Sequence, residues 1–215
     1  MRECGGIADT FLSLGNHDWM FPDACRDLVS STGARILDNG YLRHGNLVIG
    51  GLTSALVSDY REYAAIWSAK HRTDEGEQLC NYPSWFMEDS ETAVPSDGSF
   101  VYRLSGIPEY AWLHEFENET GYKILLSHHP EYWKLTEPFL YARNIDLVLA
   151  GHAHGGQVRL LGHGIYAPGQ GIFPKYTSGI HIGKQGMIVI SRGIANTSRV
   201  PRLWNPPEIV CLNLL

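Results

Sequence analysis

The sequence predicts an α/β fold, and three observations carry that expectation. Short apolar runs of buried-strand type end three times in polar loops, in "LSLGNHD", "ILLSHHP" and "LVLAGHAHGG". Helical periodicity lies between them, as where Tyr110, Leu113 and Phe116 recur at three-residue spacing. A chain of 215 residues with 44% hydrophobic and 19% charged residues can bury one substantial core. It reads as a single domain, 1–215, with a variable insertion at 57–104.

The elements follow in chain order. "FLSL", residues 11–14, is a strand that stops at Gly15, which places Asn16, His17 and Asp18 on the loop at its C-terminal end. Pro22 opens a helix to about Ser31, because proline is tolerated in a first helical turn. In "RILDNGYLRHGNLVIGGL", Asn39-Gly40 between apolar runs signals a hairpin, and the whole stretch reads as an antiparallel meander. Periodicity then fades over 57–104, where nine acidic residues face four Lys or Arg; such a segment suits a lid or binding loop. A helix is expected at 108–117, a strand at 123–127, a helix at 137–144 and a strand at 145–150. Late strands are expected at 158–161, 187–191 and 209–214.

The net charge of −6 and the lack of any Lys/Arg-rich run argue against specific nucleic-acid binding, which needs a concentrated basic face. Cys4, Cys25, Cys80 and Cys211 are scattered; a reducing compartment is the simpler reading, and one disulfide stays open. No apolar run approaches the roughly 18 residues of a membrane span, and "MRECGGIADTF" lacks a signal-peptide core. The expected location is therefore cytoplasmic for the chain as given, or membrane-peripheral if the full-length protein has an N-terminal anchor.

In α/β sheets ligands collect beyond the carboxyl ends of strands. His17, His128, His152 and His154 all fall in such loops. Imidazole with amide or carboxylate oxygen suits Zn, Mn or Fe better than a soft thiolate site would. Gly151, Gly155 and Gly156 supply backbone freedom for His-x-His to turn both rings inward. His129, beside Pro130, is read as shaping its loop. His163 and His181 lie in the Gly-rich stretch 162–186 expected to rim the site, and either touch substrate or pack the loop. Arg192 either pairs with a phosphate or makes a structural salt bridge.

Gly15-Asn16-His17-Asp18, Ser127-His128-His129-Pro130 and Gly151-His152-Ala153-His154-Gly155-Gly156-Gln157 resemble, in order, three motifs of the calcineurin-like metallophosphoesterases. "YAPGQGIFPKYTSGIH", "VISRG" and "PPEIVCLNL" resemble more narrowly a bacterial branch of small phosphodiesterases, the YkuE/YaeI type. The resemblance implies a two-sheet β-sandwich flanked by helices. It also implies two divalent metal ions, Mn, Fe or Zn, that share a bridging hydroxide and aspartate. The implied reaction is hydrolysis of a phosphodiester or phosphomonoester, on a small molecule or a lipid, by metal-bound hydroxide. Cations about 3.5–4 Å apart activate water and neutralise both attacking and leaving oxygens. By motif, Asn16, His128 and His152 resemble ligands of one metal, and His154 a ligand of the other. His17 resembles the catalytic acid, with Asp18 orienting its ring, a role suited to an imidazole of near-neutral pKa.

The family's Asp-x-His and Gly-Asp-x-x-Asp motifs, which supply the bridging aspartate, do not occur before Gly15. The fold is therefore expected to be N-terminally incomplete, with His154 alone left to the first metal. An alternative function follows: a catalytically inactive or partner-completed fragment, acting as a weak metal-binding or interaction module. Self-association through an exposed sheet edge is a further expectation. No residue is assigned to substrate binding.

Overall fold

A computed structural model describes residues 7–16, 18, 23–53, 110–135, 138–167, 170–195 and 201–214. The insertion expected at 57–104 lies outside the described residues, as does His17. The chain enters through β1 (Thr10–Ser13), α1 (Asp23–Ser30) and β2 (Ala34–Leu37), then β3 (Gly40–His44) and β4 (Leu47–Leu52). After α2 (Ala111–Asn118) come β5 (Tyr122–Ser127) and β6 (Leu147–Ala150). Four two-residue strands follow: β7 (Arg159–Leu160), β8 (His163–Gly164), β9 (Tyr166–Ala167) and β10 (Gly171–Ile172). The last described strands are β11 (Gly179–Ile182) and β12 (Met187–Ile190).

The principal sheet has six strands in the order β11-β12-β6-β5-β4-β3. Its inner strands β12, β6, β5 and β4 are parallel, and the edges β11 and β3 are antiparallel to their neighbours. This explains why the inner strands read as unbroken apolar runs: a parallel sheet is covered on both faces, so neither side of the strand needs polar residues. On one face Val48, Leu52, Leu125, Val148, Ala150, Ile188 and Ile190 alternate along their strands into the main core. Leu113 and Phe116 of α2 cover them, together with Trp133 and Leu140 from the 3-10 turns after β5. Ile124, Leu147 and Val189 form a smaller cluster on the opposite face.

β4 carries two adjacent glycines because both layers press on it. A Cβ on Gly50 would lie 3.1 Å from the Trp112 ring, and one on Gly51 would lie 2.4 Å from Leu37. Side chains alternate across a strand, so these contacts belong to opposite faces. The β1–β2 pair thus forms a second layer over β4, giving the α/β two-sheet arrangement expected.

Three expected elements differ. The Asn39-Gly40 turn is not a hairpin: β2 pairs in parallel with β1, Thr10 opposite Ala34 and Ser13 opposite Leu37, so the chain changes layer there. Asn39 adopts the left-handed conformation (φ 50°) that the turn requires. Its side chain and that of Asp38 fasten the switch, since Thr53 N–H donates to Asn39 Oδ1 at 3.2 Å and Thr53 Oγ1 donates to Asp38 Oδ1 at 2.8 Å. Within this stretch the antiparallel pairing is confined to β3 and β4. The helix expected at 137–144 shrinks to one 3-10 turn, Leu140–Ala142, because Pro138 offers no N–H and Phe139 is left-handed at φ 52°. The strand expected at 209–214 is absent, and Ile209 is 86% exposed. Glu208 instead ties this segment to the loop after β12, donating its N–H to Gly193 O at 3.0 Å.

Candidate functional site

β1, β5 and β6 deliver the three motif loops to one region, as strand-end geometry requires. The turn after β1 is closed by Asp18: its N–H donates to Gly15 O at 2.9 Å, and its Oδ2 accepts from Gly15 N–H at 2.7 Å. This fixes Asn16 at the crest of the turn. His128, just beyond β5, lies over it, with Nε2 donating to Asn16 Oδ1 at 3.0 Å. Gly15 makes the approach possible, because a Cβ there would sit 2.9 Å from the His128 ring. The glycine of this motif is thus set by a ring packed against its backbone.

His152 completes the group from β6, its ring centroid 5.1 Å from that of His128. Gly151 N–H donates to His128 O at 3.1 Å, so the β5 and β6 loops are joined through backbone as well. His129 packs beneath, 4.1 Å from the His152 ring and only 4% exposed. That is the loop-shaping role expected for it. Asn16, His128 and His152 therefore come together.

Two donor atoms that share one ion at bond lengths near 2.1 Å and the right angle of an octahedral site stand about 3 Å apart. The Asn16 Oδ1 to His128 Nε2 separation of 3.0 Å fits that chord. Among the described residues, no group of three His, Cys, Asp or Glu side chains is disposed to hold a metal ion. The fit accordingly rests on the amide oxygen of Asn16 acting beside two imidazoles.

His154 turns to other neighbours. Its Nδ1 faces Arg202 Nη2 at 3.5 Å, and its carbonyl accepts from Asn205 Nδ2 at 2.6 Å. The same Asn205 amide donates to Gln157 O at 3.0 Å, and Arg159 Nη1 donates to Gly155 O at 2.8 Å. These clamps hold a contorted loop: His152, His154 and Gln157 have φ of 57°, 46° and 50°, with Gly155 and Gly156 at 66° and 80°. Left-handed non-glycine residues cost about 1–3 kcal/mol each and cluster at functional sites. Gly151 does not share this conformation, so the freedom expected of all three loop glycines is used at two.

Behind the loop, Arg192 pairs with Glu208, Nη2 to Oε1 at 3.2 Å, and its N–H donates to Glu208 Oε2 at 3.0 Å. Of the two roles open to Arg192, the structure shows the salt bridge. The backbone hydrogen bond from Arg192 is the leading reason the Glu208 carboxyl lies below its usual range. Burial, then repulsion from Arg192, lowers the Arg202 guanidinium. His163 is exposed on β8, and His181 packs against Tyr176 with ring centroids 5.0 Å apart.

Sequence reasoning missed Glu131, three residues beyond His128. It is 5% exposed and accepts from Gln170 Nε2 at 2.8 Å; Gln170 in turn bonds Tyr176 N–H and O. The link fastens the turn after His129 to the Gly-rich stretch. Burial pushes its carboxyl up to about 7. A Glu next to a His-His-Pro sequence is the one local signal that could have singled it out.

The chain matches the calcineurin-like phosphoesterase family over residues 3–156. It is also similar to a Bacillus subtilis (strain 168) protein described as the uncharacterized metallophosphoesterase YkuE, at 31% identity over 131 residues. That match covers 58% of this chain and 44% of the relative, so the chain spans less than half the length of the curated protein it matches. No solved structure matches it significantly. No described helix is long and apolar enough to cross a membrane. Motif order, the two-layer fold and the family match agree: the chain belongs to the calcineurin-like phosphoesterases, a family of metal-dependent hydrolases.

Proposed function

We propose that this chain carries the phosphoester-hydrolysing site of its family, acting on a phosphodiester or phosphomonoester of a small molecule or lipid. The observation that supports the reading best is the meeting of Asn16, His128 and His152 at the ends of three strands, with Asn16 Oδ1 and His128 Nε2 3.0 Å apart. In this reading these three residues hold one divalent ion, and His154 serves a second. Such ions, Mn, Fe or Zn, supply Lewis acidity toward the phosphoryl oxygens and lower the pKa of water. The chain's own residues do the rest. To hold an ion through Nε2, His128 would present that nitrogen unprotonated, with the ring's one proton on Nδ1. His17 protonates the leaving oxygen. Asp18, with Oδ2 occupied by Gly15 N–H, keeps its second oxygen to orient the His17 ring.

A second reading has its own support. Among the described residues no three His, Cys, Asp or Glu side chains form a metal cluster, which favours a module that binds one metal weakly or is completed by a partner. Hydrolysis of bis(p-nitrophenyl) phosphate by the Mn-loaded chain separates the two. Turnover that falls more than about 100-fold in His17→Ala, as removal of a general acid predicts, supports the enzyme. Metal binding without turnover supports the module.

A further inference from the structure

Away from the histidine loops, a groove of about 520 Å³ runs along β11 at the edge of the principal sheet. That volume is within the range of small-ligand sites. Among the described residues that line it are Lys134, Lys175, Lys184 and His181 and no carboxylate, in a chain whose net charge is −6. Aromatic faces hold the lysines in place. Lys134 Nζ and Lys184 Nζ stand 5.1 and 5.7 Å from the centroid of the same ring, Tyr141, and Lys175 Nζ stands 5.5 Å from that of buried Tyr176. Each contact lies within cation–π range. None of the three lysines is in a salt bridge among the described residues.

Like charges gathered in one groove repel one another, so an anion there is stabilised twice, by attraction and by relief of that repulsion. The groove is also amphipathic. Ile180 and Ile182, two apart and therefore on one side of β11, are 59% and 74% exposed beside the lysines. A soluble anion has no use for that apolar flank, whereas a phosphate attached to acyl chains does. We propose that this groove binds the phosphate headgroup of an anionic lipid: the lysines take the phosphate oxygens, and Ile180 and Ile182 enter the acyl boundary. The site is separate from the strand-end loops, so binding here docks the chain on a membrane surface and is independent of the reading given above for Asn16, His128 and His152.

Vesicle co-sedimentation tests it, comparing phosphatidylcholine vesicles with mixed phosphatidylcholine–phosphatidylglycerol vesicles. The chain should partition onto the anionic vesicles only, and less at high salt. Near such a surface each lysine contributes enough that its loss lowers partitioning about five-fold, so Lys134→Ala, Lys175→Ala and Lys184→Ala together lower it by about two orders of magnitude. All three side chains are exposed, so circular dichroism should be unchanged. Ile182→Ser should weaken binding without altering its salt dependence. Equal partitioning onto both vesicles, or undiminished binding by the triple variant, would overturn the proposal. So would saturable binding of inorganic phosphate without vesicle binding, which would assign the groove to a soluble anion.

Discussion

The two flanks of the histidine site are built on opposite principles. On one, Asn16, His128 and His152 meet because a side chain is missing: Gly15 leaves room for the His128 ring against the turn. On the other, His154 is held by side chains that are present, with Arg202 at its ring and Asn205 at its carbonyl. The first flank presents donor atoms to one another at a spacing an ion can bridge. The second concentrates positive charge and backbone strain, and Arg202 and Asn205 reach its loop from about fifty residues away in sequence. The difference teaches that two sides of one histidine cluster can be assembled across the chain in opposite ways, by a missing side chain on one and by reaching side chains on the other.

Changes on the first flank should have the largest effects. His128→Ala removes a proposed ligand and should lower metal affinity by more than the 10–100-fold typical of losing an outer partner, read by Mn or Zn titration. Gly15→Val leaves every ligand in the sequence but displaces the His128 ring. Its affinity should fall about 10–100-fold, by analogy with misoriented ligands. If Gly15→Val bound metal like the parent, the close approach would not be what builds this flank.

The second flank should respond mainly in stability. Asn205→Ala leaves the carbonyls of His154 and Gln157 without their donor, which costs about 1–3 kcal/mol in denaturant unfolding. Its effect on metal affinity should be smaller than that of Gly15→Val, and the reverse order would invert the comparison.

Glu131 gives the most pH-dependent effect, and one confined to stability. Its carboxyl titrates at about 7 in the folded chain, above its ordinary value of 4.5. The folded state thus holds a proton that the unfolded state has already released between those values. The stabilising contribution is complete below about 4.5, declines as pH rises and is gone above about 7. Glu131→Gln should flatten this part of the stability profile. At pH 8 it should leave the variant more stable than the parent by up to about 3 kcal/mol, from 1.36 kcal/mol per unit. A parallel pH profile in the two proteins would show that Glu131 does not titrate in this range.

Much of the first flank was legible in the sequence. β5, β6 and β12 announce themselves as continuous apolar runs, and the polar loops after β1, β5 and β6 mark where their ends point. The clamps of the second flank were not. Nothing local distinguishes Arg202 or Asn205 from other polar residues, because the loop groups they reach are brought close only by folding. The Asn39-Gly40 signal failed for a related reason. The turn chemistry is right, with Asn39 left-handed, but pairing depends on β1, which offers β2 a parallel partner in the other layer. The strand expected over 209–214 likewise does not form: Ile209, at its start, is 86% exposed.

The central claim is that Asn16, His128 and His152 share a divalent ion, and X-ray absorption on the Zn-loaded chain addresses it most directly. The expected first shell contains imidazole nitrogen from two histidines with light oxygen donors at about 2.0–2.1 Å. In His128→Ala the imidazole signal should fall by one ring. A shell of oxygen alone, or an imidazole signal unchanged in His128→Ala, would contradict the account.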